Sequence, residues 1–515
     1  MRPETSAPQR PAQHTAANDD VSLPLAVDLD GTLLLTDTLF EAVAEHMRRR
    51  PLWTLAQLVQ LPFAIARVKA RLQRGAVLDA PTLPVNEQVL AYCRRAKAIG
   101  RKVWLVSAAD QETVDAVAAR FGLFDRAIGS DGTRNNKGAA KADLLAREAP
   151  EGFEYIGDSP ADLKVWARAA AASHVGGGQK RTQAIEKMGV TVVRAFERPK
   201  AGLNAWRKAL RLHQWAKNGL IFAPLFLSMQ FLVPAKLAVC LIALPLLGLM
   251  ASGTYIINDI LDLKADRGHH SKKERPFASG RLKLWQGFVA APALILTGLV
   301  GGIVLSPAFA VTMMSYLVVT LSYSLMLKKA ALADTMALAF LYTLRLIMGA
   351  VLVGVALSQW LLVFSMFLFV SLSLAKRHVE VIRRAEAGER RVANRGYRAE
   401  DAGLTLGLGL ATATVAPLIL VLYIIESAWP SGLYPSPDGL WVAPVVLAMW
   451  LMRIWLLANR GELHDDPVVF AVKDRQSLAM GGMLALGFLF AAFSPPETLA
   501  MLRIEGGGVA AAFTP

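Results

Sequence analysis

The segment Leu25-Ala26-Val27-Asp28-Leu29-Asp30-Gly31-Thr32 is a short apolar run that ends in two carboxylates two residues apart. If the run is a strand, its alternation puts Asp28 and Asp30 on one side, and Gly31 lets the chain turn sharply behind them. A carboxylate can attack phosphorus to give an acyl phosphate, and a second carboxyl group nearby can protonate the departing oxygen. Such a pair calls for Mg2+ to offset the repulsion between carboxylate and phosphate. A second acidic set lies far downstream, in Asn258-Asp259-Ile260-Leu261-Asp262-Leu263-Lys264-Ala265-Asp266-Arg267. Asp259, Asp262 and Asp266 are spaced i, i+3, i+7, so on a helix they share one face, with Asn258 beside them. Three carboxylates on one face suit a hard cation such as Mg2+, which in turn can hold a diphosphate. Lys272, Lys273 and Arg275 follow and could take phosphate oxygens.

The two acidic sets lie in unlike parts of the chain. Over 515 residues it is 54% hydrophobic and only 19% charged, yet its formal net charge is +15. A charged fraction so far below the ordinary 25% or so excludes a purely soluble or disordered protein. Two cysteines, Cys93 and Cys240, exclude a disulfide scaffold and a multi-cysteine metal site. Residues 1–20 carry no apolar run and read as a disordered tail rather than a signal peptide. Residues 21–200 read as α/β, with short strand-like runs alternating with helical stretches. In the insertion 34–95, the apolar run 51–66 is flanked by Arg48, Arg49 and Arg50. It suits either a helix in the membrane interface or a helix of a cap over the α/β core.

From about residue 205 the chain holds apolar stretches near the roughly 20 residues needed to cross a bilayer. Nine candidate spans lie near 218–233, 236–257, 285–305, 308–327, 332–353, 357–376, 404–426, 439–457 and 478–495, and 498–515 form a C-terminal tail. The 258–284 connection carries seven Lys or Arg and the 377–403 connection seven Arg, while those near 301–307, 353–357 and 427–438 carry none. This alternation places the basic loops and the N-terminal part in the cytoplasm and the C-terminus outside. The positive excess therefore reads first as topology and second as a means of holding phosphorylated substrates, with no nucleic-acid partner expected.

At the first acidic set the sequence resembles the haloacid dehalogenase (HAD) superfamily of phosphatases. The resemblance rests on Asp28-Leu29-Asp30-Gly31-Thr32, on Ser107 at the end of a second apolar strand, on Lys137 or Lys141, and on Gly157-Asp158-Ser159-Pro160-Ala161-Asp162. It implies a Rossmann-like α/β domain with a small helical cap. It also implies that Asp28 is the nucleophile and Asp30 the acid/base. Ser107 and the lysine would hold the phosphoryl group, and Asp28, Asp30 and Asp158 would lie at Mg2+. At the second set the sequence resembles the UbiA-type intramembrane prenyltransferases, a bundle of nine transmembrane helices covering about 205–497, which implies Asp259, Asp262 and Asp266 as metal carboxylates. Several features are similar to the decaprenyl-phosphate phosphoribosyltransferase branch: Gln214-Trp215-Ala216-Lys217-Asn218, Tyr323 through Lys328, Leu344-Arg345-Leu346, Lys376-Arg377-His378, Arg395-Gly396-Tyr397-Arg398 and Arg460-Gly461-Glu462. That resemblance implies Lys217, Asn218, Asn258, Lys272, Arg275, Tyr323, Lys328, Arg345, Lys376, Arg377 and Arg398 at substrate.

The expected function is transfer of 5-phosphoribose from phosphoribosyl diphosphate to a polyprenyl phosphate in the inner (plasma) membrane of a bacterium. The fused phosphatase would remove the 5-phosphate. The alternative is a prenyl diphosphate donor with an aromatic acceptor. A second aspartate-rich motif would suit that donor, but the corresponding stretch, 331–350, holds only Asp334. A transporter or scaffold with an attached phosphatase is a third reading, which the acidic triad at a span end argues against.

Overall fold

Alternating apolar runs and helical stretches build a six-stranded parallel sheet in the N-terminal part of the computed structural model, which describes residues 23–60, 68, 71–72, 78–130, 136–199, 201–269, 271–388, 390, 395–463 and 467–495. The strands are β1 (Leu25–Val27), β2 (Val103–Asp110), β3 (Arg126–Ser130), β4 (Glu154–Gly157), β5 (Ala171–Val175) and β6 (Thr191–Phe196), in the order β3-β2-β1-β4-β5-β6. Every pairing is parallel. Both faces are covered by helices, so the strands are apolar almost throughout. Along β1, Leu25 and Val27 enter one core cluster and Ala26 the other. The order reverses at β1, which has β2 on one side and β4 on the other, and the crevice at the carboxyl ends of such strands is where α/β sheets bind ligands. Asp28, Ser107 and Asp158 all lie at that edge.

The chain divides into two compact units, and the sheet belongs to the unit made of residues 1–206 and 259–287. Helices Thr38–Arg49 and Pro51–Val59 follow β1. In the second of these the buried residues are the polar Thr54 and Gln57, while Leu52, Leu55 and Val59 are exposed, Leu52 at 82%. Residues 61–66 of the apolar run lie outside the described residues, as do the tails 1–20 and 498–515.

The other unit, 207–258 with 288–515, is helical. Among the described residues, eight helices are long and apolar enough to cross a membrane: Pro234–Leu261, Leu284–Leu305, Pro307–Leu325, Ala333–Val353, Gln359–Glu386, Ala399–Ala428, Pro437–Asn459 and Arg475–Phe493. Their outward side chains are large and apolar, with Val304 at 83% and Met452 at 71% exposure, a surface that water would not tolerate over such an area. The chain is an integral membrane protein. Of the nine expected spans, 218–233 differs: it forms a 3-10 turn, the short helix Ala223–Leu227 and a second 3-10 turn, Gln230–Leu232, rather than one long helix. Pro224 offers no backbone donor, Met229 has a positive φ of 58°, and the expected span is only 16 residues long.

Candidate active sites in the two units

In the first unit the strand ends bring Asp28, Asp158 and Asp162 together, with one oxygen from each within 4.8 Å of the others. Lys141, on helix Ala139–Glu148, donates Nζ to Asp28 Oδ1 at 2.6 Å and to the Tyr155 hydroxyl at 3.0 Å. Tyr155 donates onward to Asp162 Oδ1 at 2.8 Å. The other Asp162 oxygen accepts the backbone N–H groups of Asp158 and Ser159 and the Ser159 hydroxyl. Arg198 pairs with Asp158 at 3.1 Å. A cluster of three hard carboxylate oxygens with only one buried lysine against it fits a divalent cation such as Mg2+.

Burial pushes the Asp28 carboxyl up to about 7 against the opposing pull of Lys141. Burial and the neighbouring Asp37 charge hold Asp30 well above the usual carboxylate range, although two hydrogen bonds from Thr38 favour its ionised form. A carboxyl group kept protonated near neutral pH is a proton donor in waiting. Asp30 stands apart from the three clustered carboxylates: its oxygens accept the Thr38 N–H at 2.8 Å and the Thr38 hydroxyl at 3.0 Å. Asp162, which sequence reasoning noted in the motif without assigning it a role, takes the third place instead. Between the two lysines the geometry separates cleanly, since Lys141 reaches Asp28 while Lys137 is exposed. Ser107 is buried within β2, which runs three residues past it to Asp110 rather than ending there as expected, and its hydroxyl oxygen accepts the Ala109 N–H at 3.0 Å. Gly31 has φ +76°, and a Cβ there would fall 2.3 Å from Asp158 Oδ2, so both conformation and space require glycine.

The same unit holds the second acidic set. The helix Pro234–Leu261 ends before Asp262, whose backbone (φ −99°, ψ 9°) separates it from the helix Leu263–Arg267. The break removes the continuous face that i, i+3, i+7 spacing would give. Arg275 takes up Asp259 Oδ1 at 3.1 Å and Asp266 Oδ2 at 2.6 Å. Among the described residues these aspartates do not form a cluster like that of Asp28, Asp158 and Asp162. Burial raises Asp266 to about 6 against the pull of Arg275. Lys272 is exposed in the 3-10 turn Lys272–Glu274.

In the second unit, ionic groups sit inside the apolar helices, where they are costly and usually functional. Arg345 is 3% exposed. It donates to Asn218 Oδ1 at 3.0 Å, the Leu341 carbonyl at 2.7 Å and the Tyr316 hydroxyl at 2.8 Å, and its guanidinium lies over the Tyr316 and Tyr342 rings. Lys217 Nζ lies 5.6 Å from the Tyr342 ring centre. The Asn218 amide nitrogen is buried without a partner among the described residues. Lys328, 7% exposed, donates to Asn258 Oδ1 at 3.4 Å. Asp334 is fully buried and closed in, with Arg377 Nε at 3.2 Å, Arg395 at 3.8 Å and the Tyr397 hydroxyl donating at 2.8 Å. Arg377 also pairs with Glu380. Tyr323 accepts from Arg395 at 2.6 Å, so Arg395 rather than Arg398 is the motif residue drawn inward. Arg398 is exposed, and Lys376 is half-buried on Gln359–Glu386.

A model of the UbiA prenyltransferase family matches residues 220–478, and one of haloacid dehalogenase-like hydrolases matches 61–166. The y4nM protein of Sinorhizobium fredii is 41% identical over 92% of this chain and 92% of its own length. The nodulation protein NoeC of Azorhizobium caulinodans is 31% identical over 57% of this chain and 94% of its own. Decaprenyl-phosphate phosphoribosyltransferase of Mycolicibacterium smegmatis is 29% identical over 54% of this chain and 89% of its own. With a matched segment of this extent, and eight apolar helices to house it, the chain belongs to the UbiA prenyltransferase family, a membrane transferase carrying a haloacid dehalogenase-like hydrolase domain on its N-terminal side.

Proposed function

We propose that the transferase moves 5-phosphoribose from phosphoribosyl diphosphate to a polyprenyl phosphate, and that the hydrolase domain removes the 5-phosphate from the product. The observation that carries the donor assignment is Asp334. It is the single acid of the stretch where a second aspartate-rich motif would lie, and it is engaged by Arg377, Arg395 and Tyr397. One acidic segment, Asp259 to Asp266, is then left to hold a diphosphate through Mg2+. A prenyl diphosphate gripped between two acidic motifs is disfavoured, and the likeness to decaprenyl-phosphate phosphoribosyltransferases points the same way. Basic groups such as Lys217, Lys328, Arg345 and Lys376 suit a reaction with two anionic substrates.

In the hydrolase domain, Asp28 attacks phosphorus, the bond to the sugar oxygen breaks, and the Asp30 proton passes to that oxygen. Water then attacks the acyl phosphate, giving its proton to Asp30 and releasing phosphate with Asp28 restored. Lys141 holds Asp28 and balances its charge, and Asp28, Asp158 and Asp162 would hold Mg2+, which supplies positive charge to the phosphate oxygens. Carrying both activities on one chain raises the effective concentration of the second site for the product of the first. The alternating basic loops support a bacterial inner-membrane location with both sites on the cytoplasmic side, and the outward apolar strip of Pro51–Val59 beside Arg48–Arg50 suits the membrane interface.

Donor choice is the test. Membranes holding the protein are incubated with labelled phosphoribosyl diphosphate or with labelled prenyl diphosphate. Label from the first entering the lipid fraction is the expected outcome. Label transferred only from the second, onto an aromatic acceptor, would establish the prenyltransferase alternative.

A further inference from the structure

Arg267 closes the acidic segment, and its guanidinium grips Glu41. Nη1 donates to Oε2 at 3.0 Å and Nη2 to Oε1 at 2.5 Å, with the two side chains 7% and 6% exposed. Arg267 Nε donates to the Ala278 carbonyl at 3.1 Å, which leaves the planar fork little freedom. Glu41 Oε1 also accepts the Thr36 hydroxyl at 2.6 Å. Glu41 lies in the first turn of Thr38–Arg49, and the residue that opens this helix, Thr38, holds both oxygens of Asp30. An unbroken line of hydrogen bonds and one helical turn thus runs from Arg267 to the proton donor of the hydrolase site.

We propose that Arg267 is a positioning residue of that site. Through Glu41 it fixes the start of Thr38–Arg49, so that Thr38 presents Asp30 to the departing oxygen. A residue whose motif serves the transferase thereby also sets the geometry of the hydrolase. The inference rests on the reading of Asp30 as proton donor. Removing the arginine leaves Glu41 buried without its counter-charge, and the first turn of the helix shifts. Displacement of about 1 Å at a reacting group can cost roughly 10²-fold in rate.

The experiment uses the full chain in lipid nanodiscs with Mg2+ and two phosphate esters, p-nitrophenyl phosphate and ribose 5-phosphate. The aryl oxygen departs unaided, whereas the sugar alkoxide needs a proton. The ratio of the two kcat/KM values in one sample reports formation of the acyl phosphate, before the shared step in which Asp30 takes the water proton, and is independent of how much protein is folded. Arg267→Gln should lower kcat/KM on ribose 5-phosphate about 10- to 100-fold and on p-nitrophenyl phosphate less than about threefold. Arg267→Lys should recover part of the loss, and Glu41→Gln should reproduce the pattern. Equal losses on the two esters, or none, would overturn the proposal. Asp30→Asn serves as the reference: if it shows no preference for the aryl ester, the reading of Asp30 itself fails, and the proposal with it.

Discussion

The two buried acidic environments of this chain treat their carboxylates in opposite ways. At the sheet edge, Asp28, Asp158 and Asp162 converge with their oxygens within 4.8 Å, and burial leaves Asp28 near neutrality. Inside the helical unit, Asp334 is equally buried but answered by Arg377, Arg395 and Tyr397. Three carboxylates set against Lys141 and Arg198 leave negative charge that a cation can balance, while one carboxylate set against two guanidiniums is already balanced from within the protein. The second acidic set falls between these cases, with the Arg275 guanidinium spanning Asp259 and Asp266.

Substitutions can break this contrast. The largest effect is expected for Asp28→Asn, which should lower phosphatase turnover by at least about 10³-fold, with mass spectrometry showing the 5-phosphorylated lipid accumulating. Fully dephosphorylated product from that variant would sever the proposed link between the two activities. Next comes a paired comparison. Asp262→Ala should lower transferase activity by roughly 10²-fold or more, as expected when several kcal/mol of metal-based stabilisation is lost, with the melting temperature in detergent little changed. Asp334→Asn should do the reverse, destabilising by about 3–5 kcal/mol because Arg377 is left buried without its partner.

The smallest effect is a pH dependence of stability. The folded pKa of Asp28 is raised to about 7 from an ordinary value of 3.8. The native state therefore holds the extra proton between those values. Its contribution is fully present at low pH and is lost as pH rises through about 7. Metal-free protein should melt at a lower temperature at pH 8 than at pH 6, Mg2+ should restore more at pH 8, and Asp28→Asn should flatten both trends.

The placement of Asp28 and Asp30 was legible because it is local: an apolar run sets a strand, two acids follow it, and a glycine turns behind them. The parallel pairing of β1 with β2 and β4 brings Ser107, within β2, and Asp158, just past β4, to the level of Asp28. What escaped the sequence depends on side-chain geometry or on distant partners. Asp162 joins the carboxylate cluster because Tyr155 and the Ser159 backbone orient it. The aspartates from 259 to 266 match one helical face only if the helix continues, and it stops at Asp262. The 218–233 segment has the composition of a span, but Pro224 lacks a donor and Met229 takes a positive φ of 58°. No periodicity joins Glu41 to Arg267, which are 226 positions apart.

That separation has a consequence for biosynthesis. At about 5–20 residues per second, the ribosome reaches Arg267 roughly 11–45 s after Glu41. The sheet strands and the carboxylates at their ends have all left the tunnel by then, but Glu41, buried in Thr38–Arg49, still lacks its counter-charge. The hydrolase-like domain thus completes this buried ion pair only after the first long apolar helix, Pro234–Leu261, has been made.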